Sequence, residues 1–195
     1  MTRLGVFGGA FDPPHVAHVA LARAGLEQLA LDELRVFPTG KAWHKSRGLT
    51  PAADRLAMAR LAFGGLPRTV VDDREQRRSG PTYTVDTLAE LQAEQPQAQL
   101  FLLMGEDQAL WFTRWHDWQR ILGLATLCIA ARPDVRPADA APLPPQARTV
   151  SLQLPAMPES ATDVRQRLGR GDDVSGLVPP GVARYIDSHH LYRSA

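Results

Sequence analysis

The chain has 195 residues and a mass of 21.4 kDa, with 44% hydrophobic and 22% charged residues, which argues against disorder and suits one globular domain. Its 22 basic and 21 acidic residues give a formal net charge of +1, which excludes a strongly basic nucleic-acid-binding surface, and its single cysteine excludes a disulfide framework. The longest apolar run is too short to span a membrane and no secretory signal is recognisable, so we expect a cytoplasmic protein that binds neither membrane nor nucleic acid.

The first third of the chain alternates between short apolar runs and helical patterns. Residues 3–7 predict a strand and residues 15–30 a helix, whose first turn would contain Pro13 and Pro14. Residues 34–37 predict a second strand. Thr50 then predicts a helix N-cap, with Pro51 as the first helical residue. The apolar face of this helix is predicted to consist of Leu56, Ala59 and Phe63.

The alternation continues to the end of the chain. Further strands are predicted at residues 68–71, 100–104, 126–130 and 150–152, and helices at 84–94, 161–168 and 180–190. Residues 132–148 are rich in proline and predict a loop. Strands that are apolar without alternation are typical of parallel sheets. The pattern therefore predicts a doubly wound parallel α/β sheet in a single domain, 1–195, with a small helical part at about 155–195.

Two glycines and two histidines follow the first predicted strand, where open α/β sheets bind ligands. Gly8 and Gly9 would let the backbone approach a phosphate, and the following helix would present its positive end. His15 and His18 lie three residues apart and could both donate to phosphoryl oxygens, although such pairs more often serve packing or surface roles. The chain contains no Walker loop, no dinucleotide fingerprint and no zinc motif, so we predict no protein-held metal.

Residues 8–18 read GGAFDPPHVAH and resemble the nucleotidyltransferase superfamily signature G-G-[TS]-F-D-P-x-H-x-G-H. The sequence departs from it at Ala10, which lacks the usual hydroxyl, and at Ala17, where glycine is usual. The resemblance implies a Rossmann-like nucleotidyltransferase fold. It implies that ATP lies against the residues of the turn and that two imidazoles contact its α- and β-phosphates. These residues are Gly8, Gly9, Ala10, Phe11, His15 and His18.

A second segment, residues 159–165 (ESATDVR), resembles the superfamily's other signature, I-S-[SA]-T-x-I-R. That resemblance implies that Ser160, Thr162 and Arg165 hold the triphosphate. By itself, the segment is also an ordinary helix N-cap, in which case Arg165 would be an exposed helix residue. The occurrence of both signatures in the expected order favours the nucleotide-binding interpretation.

Other segments resemble one branch, the nicotinate-nucleotide adenylyltransferases. They comprise residues 38–45, 73–88, 101–107 with 115–116, and 177–192. The resemblance implies a catalytic role for Lys45 and ATP contacts from Gly105 and Asp107. It also implies an acceptor site formed by Lys41, His44, Tyr83, Thr84 and Trp115. By spacing alone, Trp111, Trp115 and Trp118 predict one helix face packed on a core.

The resemblance implies transfer of AMP from ATP to nicotinate mononucleotide, with Mg²⁺ bound through the ATP phosphates and no covalent intermediate. We expect the backbone N–H groups of residues 82–84, ahead of a predicted helix, to receive the acceptor's carboxylate. Two alternatives stay open. One is a sister enzyme that uses the amide nucleotide or phosphopantetheine, and the other is a non-catalytic nucleotide sensor. The sequence leaves the oligomeric state open.

Overall fold

The computed structural model describes residues 1–41, 48–130, 143–155, 157 and 159–192. Its central sheet has six parallel strands in the order β3-β2-β1-β4-β5-β6. The strands are β1 (Arg3–Gly9), β2 (Glu33–Pro38), β3 (Thr69–Val71), β4 (Gln99–Gly105), β5 (Ala125–Ala130) and β6 (Thr149–Leu152). This confirms the predicted doubly wound α/β architecture of Rossmann type.

Helices connect these strands and extend beyond the last one. They are α1 (Val16–Gln28), α2 (Ala52–Phe63), α3 (Arg74–Arg77), α4 (Thr84–Glu94), α5 (Glu106–Leu110), α6 (Trp118–Leu124), α7 (Ala161–Arg170) and α8 (Pro180–Ser188), with a 3₁₀ turn at Phe112–Arg114. None of the helices in the described part of the chain is long and apolar enough to cross a membrane.

The sheet separates two hydrophobic cores because alternate side chains of each strand point to opposite faces. In β1, Phe7 belongs to the first core, with residues of α1, α2, α7 and α8, while Leu4 and Val6 belong to the second, with residues of α4, α5 and α6. Val182 and Ile186 of α8 lie in the first core, and Gly181 packs against Leu61 of α2. The C-terminal helices therefore share a core with the sheet.

The structure corrects several predicted boundaries. Helix α1 begins at Val16 rather than within the two prolines, and the Asp12–Pro13 peptide bond is cis. Helix α2 begins at Ala52, with Pro51 as its N-cap, one residue later than predicted. Its buried face includes Arg55 in place of Leu56, which is only half-buried.

The three tryptophans do not share one helix face. Trp111 follows the end of α5, Trp115 follows the 3₁₀ turn, and Trp118 is the first residue of α6. Of the proline-rich residues 132–148, only 143–148 lie within the described residues. There Leu143 and Ala147 pack against the second core.

Candidate functional site

The strand order reverses between β1 and β4, which are neighbours in the sheet although β2 and β3 separate them in sequence. In open α/β sheets this switch point, at the carboxyl ends of the strands, is where ligands bind. Strand β1 ends at Gly9 and β4 ends at Gly105. The glycine turn singled out from the sequence therefore lies at the switch point, beside Gly105 and the first turn of α5, which contains the exposed Asp107.

Packing of the Phe11 side chain holds the turn after β1 in one conformation. Phe11 has a φ of 46°, a left-handed conformation that costs a non-glycine residue about 1–2 kcal/mol. Its ring is buried at edge-to-face geometry, with centroids 5.3 Å from Phe7 and 5.2 Å from Phe63. A Cβ on Gly9 would lie 3.0 Å from the Phe11 ring, whereas one on Gly8 would meet nothing within 4 Å. Packing fixes the turn, and Gly8 provides open space on its other side.

The two histidines meet at the start of α1. His15 is the N-cap residue and His18 is the third helical residue, and their ring centroids lie 3.8 Å apart. The backbone N–H of His15 donates to Nδ1 of His18 at 3.1 Å. Because Nδ1 accepts a hydrogen bond, the neutral ring of His18 carries its proton on Nε2. Nε2 is thereby prepared as a hydrogen-bond donor at the positive end of a helix.

The second signature segment comes to the same turn. Ser160 caps α7 by accepting from the N–H of Asp163 at 3.1 Å, as its N-cap pattern predicts. Arg165 donates to the backbone oxygen of Asp12 at 2.8 Å and to the Thr162 hydroxyl at 3.0 Å. Arg165 and Asp12 are 153 residues apart in sequence. The tertiary structure thus brings both signatures together and excludes the interpretation of Arg165 as a merely exposed helix residue.

The candidate acceptor residues lie next to the end of β2. Lys41 is exposed and forms a parallel bridge with Pro81, and the N–H of Thr82 donates to the Lys41 oxygen at 3.2 Å. The predicted cradle of three N–H groups is therefore wrong at Thr82, whose N–H is occupied. Tyr83 is the N-cap of α4, so the N–H of Thr84 is the first-turn donor among the three predicted residues.

Aromatic side chains flank this segment. The Tyr83 ring stacks on His116, with centroids 4.2 Å apart and planes at 30°. Trp115 is half-buried beside Phe112, at 5.7 Å, and packs with Tyr83 against the second core. The structure therefore brings Tyr83 close to the segment 115–116. The signal for His116 in the sequence is the Trp-His pair of the family pattern, at residues 115–116.

Sequence reasoning missed Arg55, which lies on α2 beneath the turn and is 2% exposed. Its guanidinium donates to four backbone oxygens: Thr50 at 3.0 Å, Ala10 at 3.0 Å, Thr39 at 2.6 Å and Gly40 at 3.2 Å. Burial lowers the pKa of Arg55, and the negative charge of Asp12 opposes that change. A signal was available, because Arg55 stands in helical register with Met58, Ala59 and Ala62 on the buried face.

A second missed contact ties the C-terminal segment to the turn. The Tyr192 hydroxyl donates to Oδ1 of the buried Asp12 at 2.7 Å, and the N–H of Thr50 donates to Oδ2 at 3.4 Å. Burial raises the pKa of Tyr192 far above its usual value, and the hydrogen bond to Asp12 acts in the same direction. Tyr192 therefore stays a neutral donor.

Glu75 of α3 is the third missed residue, a carboxyl that is 5% exposed. Burial raises its pKa to about 7, while the hydrogen bond from the Thr87 hydroxyl, at 2.7 Å, and the charge of Arg78 oppose the rise. The backbone oxygen of Glu75 accepts from the Thr82 hydroxyl at 3.4 Å. Glu75 thus supports the segment that leads into α4.

Two predicted site residues, His44 and Lys45, lie outside the described residues. Within the part of the chain that the structure describes, no group of three or more His, Cys, Asp or Glu side chains could hold a metal ion. The site is made of imidazoles, a guanidinium, hydroxyls and helix N-termini, which are donors suited to phosphate oxygens.

Comparison with known proteins gives a consistent result. The cytidylyltransferase-like family matches residues 6–167. A protein of Albidiferax ferrireducens named probable nicotinate-nucleotide adenylyltransferase is 55% identical and covers 100% of both chains. One of Chromobacterium violaceum with the same name is 44% identical and covers 98% of this chain and 99% of its own. A solved structure of Plasmodium falciparum nicotinic acid mononucleotide adenylyltransferase complexed with NaAD has a TM-score of 0.80 at 18% identity, covering 98% of each chain. That structural match shows the shared fold.

Proposed function

The chain belongs to the cytidylyltransferase-like family and, within it, to the nicotinate-nucleotide adenylyltransferases, and from this premise we propose that it transfers AMP from ATP to nicotinate mononucleotide. The products are nicotinate adenine dinucleotide and pyrophosphate, so the reaction is a step in NAD biosynthesis. The observation that carries the proposal is the contact of Arg165 with Asp12, which joins at the switch point the two segments that resemble phosphate-binding signatures.

The reaction needs no protein nucleophile. An oxygen of the acceptor's phosphate attacks the α-phosphorus of ATP, the bond from that phosphorus to the bridging oxygen breaks, and pyrophosphate leaves with the electron pair. Catalysis then consists of alignment and of neutralising the charge that develops on the phosphoryl oxygens. We propose that His15 and His18 neutralise this charge at the α- and β-phosphates. The leaving pyrophosphate would be bound by Ser160, Thr162 and Arg165.

His18 is the residue best prepared for this role. Its Nδ1 accepts from the backbone, so Nε2 carries the proton that a phosphoryl oxygen would receive as a hydrogen bond. The nucleotide would lie against the turn after β1, which comprises Gly8, Gly9, Ala10 and Phe11. Gly105 and Asp107, at the end of β4, would bound its other side.

The described residues fit a divalent cation that is carried by the nucleotide. The only carboxylate within the turn is Asp12, whose two oxygens accept from Tyr192 and Thr50. We therefore propose that Mg²⁺ is held by triphosphate oxygens and water. Such an ion neutralises charge on the leaving pyrophosphate.

We propose that the acceptor lies between the end of β2 and the start of α4. The first-turn N–H of Thr84 would bind the pyridine carboxylate, and the side chains of Trp115 and Tyr83 would contact the pyridine ring. Lys41 and His44 would bind the acceptor, and Lys45 would have a catalytic role, as the family resemblance implies. With the C-terminal helices sharing the first core, we propose that the chain works as one nucleotidyltransferase domain. Because its proposed donor is ATP, we place it in the cytoplasm.

The deciding experiment measures pyrophosphate release from ATP with nicotinate mononucleotide, its amide analogue and phosphopantetheine as separate acceptors. We expect a clear preference for the carboxylate nucleotide, because N–H donors at a helix N-terminus bind a carboxylate better than they bind the NH₂ of an amide. Equal use of the two pyridine nucleotides would favour the amide-using enzyme. Release with phosphopantetheine alone would favour that sister activity, and no release with any acceptor would favour a nucleotide sensor.

The variant Trp115→Ala tests the acceptor site in the same assay. Ring contacts fix the plane of the pyridine but do not distinguish its substituent, so kcat/KM should fall alike for both pyridine nucleotides. Trp111→Ala is the matched control, because Trp111 is exposed and its ring contacts the guanidinium of Arg114, whose carbon lies 4.1 Å from the ring centroid. A changed ratio between the acceptors in Trp115→Ala would contradict the assignment.

A further inference from the structure

We propose that Arg55 and Tyr192 are positioning residues for the transfer reaction, which fix the turn after β1 relative to the segment after β2. This inference rests on the proposed function, because the first segment carries the proposed ATP side of the site and the second leads to the proposed acceptor side. Neither residue needs to touch a substrate. Their role follows from which backbone oxygens and carboxylate they hold.

Arg55 connects the two sides directly. It binds the oxygen of Ala10 on the ATP side and the oxygens of Thr39 and Gly40 on the acceptor side. The N–H of Thr39 also donates to the Gly9 oxygen at 2.9 Å, which joins the same two segments. A guanidinium has five N–H donors in a rigid plane, so one buried side chain can hold several carbonyl oxygens at set distances.

Gly40 packs directly against residues that precede α4. A Cβ on Gly40 would overlap the backbone oxygen of Glu75 and lie 2.9 Å from the Thr82 hydroxyl. The chain of contacts therefore runs from Ala10 through Arg55 and Gly40 to the residues that lead into α4. A displacement at Arg55 changes the distance between the two substrates' binding segments.

Tyr192 holds the other end of the turn. Its hydroxyl binds the carboxylate of Asp12 while Arg165 binds the backbone oxygen of the same residue. Asp12 is 2% exposed, and its negative charge also balances the buried charge of Arg55. Arg55, Asp12 and Tyr192, which we term the buried network, therefore form one electrostatic unit that links the turn after β1 to α2 and to the C-terminal segment.

In-line transfer is sensitive to such positioning. A misplacement of about 1 Å between reacting groups can lower a rate by about 10²-fold, even when each substrate still binds. We therefore expect damage to the buried network to lower kcat while the KM values change little. A role limited to fold stability would lower only the number of folded sites.

The first test compares Arg55→Lys with Arg35→Lys. Arg35 is the matched control, since it lies on β2 in ion pairs with Glu33 and Glu94, away from the turn. Sites are counted by calorimetric titration with α,β-methylene ATP, and turnover is expressed per site. Arg55→Lys should lower turnover about 10²-fold with less than about threefold change in KM, while Arg35→Lys keeps wild-type turnover. Equal turnover per site in both variants would overturn the proposal for Arg55.

The second test uses a smaller change that spares the fold. Tyr192→Phe removes only the hydroxyl that binds Asp12, and Tyr185→Phe removes a similar hydroxyl that binds Asp54 at 2.9 Å on α2. We expect about a tenfold loss of turnover per site in Tyr192→Phe and none in Tyr185→Phe. If Arg55→Lys yields no nucleotide-binding sites, this pair decides the proposal. Equal turnover in the two tyrosine variants would then refute it.

Hydrogen exchange provides a readout that does not depend on activity. The amide of Thr39 is the probe, because its hydrogen bond to the Gly9 oxygen joins the two segments. The amide of Leu127 is the reference, because it lies in β5 and donates to the oxygen of Arg148, next to β6. Exchange at Thr39 should accelerate in Arg55→Lys and Tyr192→Phe but not in their controls. If the wild type releases no pyrophosphate, the proposed function fails, and the exchange rates alone decide whether the buried network positions the turn.

Discussion

Replacing the buried Glu75 with glutamine should remove a pH-dependent loss of stability. Glutamine keeps an oxygen that accepts from the Thr87 hydroxyl but cannot ionise. In the wild type, burial raises the pKa of Glu75 from 4.5 to about 7. The folded protein therefore holds this proton between about pH 4.5 and pH 7, where the unfolded chain has released it.

The sign and size of the effect follow from linkage. Because the folded state binds more protons in this window, the stability that Glu75 contributes is complete below pH 4.5 and is lost as the pH rises through about 7. Each unit of pKa difference corresponds to about 1.4 kcal/mol. From pH 5 to pH 8 the wild type should therefore lose about 2–3 kcal/mol more free energy of unfolding than Glu75→Gln.

Urea unfolding followed by tryptophan fluorescence measures this difference, since the chain contains four tryptophans. Other groups titrate in the same range, so the quantity to compare is wild type minus variant at each pH. Glu27→Gln is the control for loss of one carboxylate, because Glu27 is exposed on α1. If the wild-type and Glu75→Gln profiles run parallel to within about 0.5 kcal/mol, the reasoning from burial is wrong.

Three further predictions concern the turn and its neighbours. His18→Ala should lower turnover about 10²–10³-fold while calorimetric affinity for α,β-methylene ATP changes little, and wild-type turnover would remove His18 from the site. Arg165→Ala should weaken binding of the same analogue. Arg165→Lys should restore binding only in part, because an ammonium lacks the planar set of donors with which a guanidinium can bind the Asp12 oxygen and a phosphate together. Full restoration by lysine would indicate a simple charge effect. Gly40→Ala should lower stability by about 1–3 kcal/mol because its Cβ overlaps the Glu75 carbonyl, whereas Gly65→Ala, with open space, should not; equal melting temperatures would contradict the close packing.

The sequence was most informative where a signal is local. Periodicity predicted α4 at residues 84–94, and the structure confirms it as Thr84–Glu94, with Val85, Leu88 and Leu91 buried. The apolar strands β4 and β5 were predicted to within a residue or two of their ends. Boundaries failed at prolines, because Pro51 suits both the N-cap and the first helical position, and only its ψ of 142° distinguishes them.

Part of the candidate site was also within reach of the sequence. The two signature segments point to the glycine turn, both histidines and Arg165 as candidates, because each segment keeps its pattern within a few consecutive residues. The spacing of the tryptophans was misleading. The helix ends at Leu110, so Trp111 and Trp115 each follow the end of a different short element and only Trp118 lies within a helix.

By itself, then, the sequence determined the alternation of strands and helices and the two signature segments, since both depend on neighbours along the chain. Only the tertiary structure decided the strand order that puts Gly9 beside the end of β4, and the contact of Arg165 with Asp12. It also decided that Arg55 and Glu75 are buried. The physical reason is that burial of a charged side chain depends on which distant segments supply its hydrogen bonds and exclude water, and no local pattern encodes that convergence.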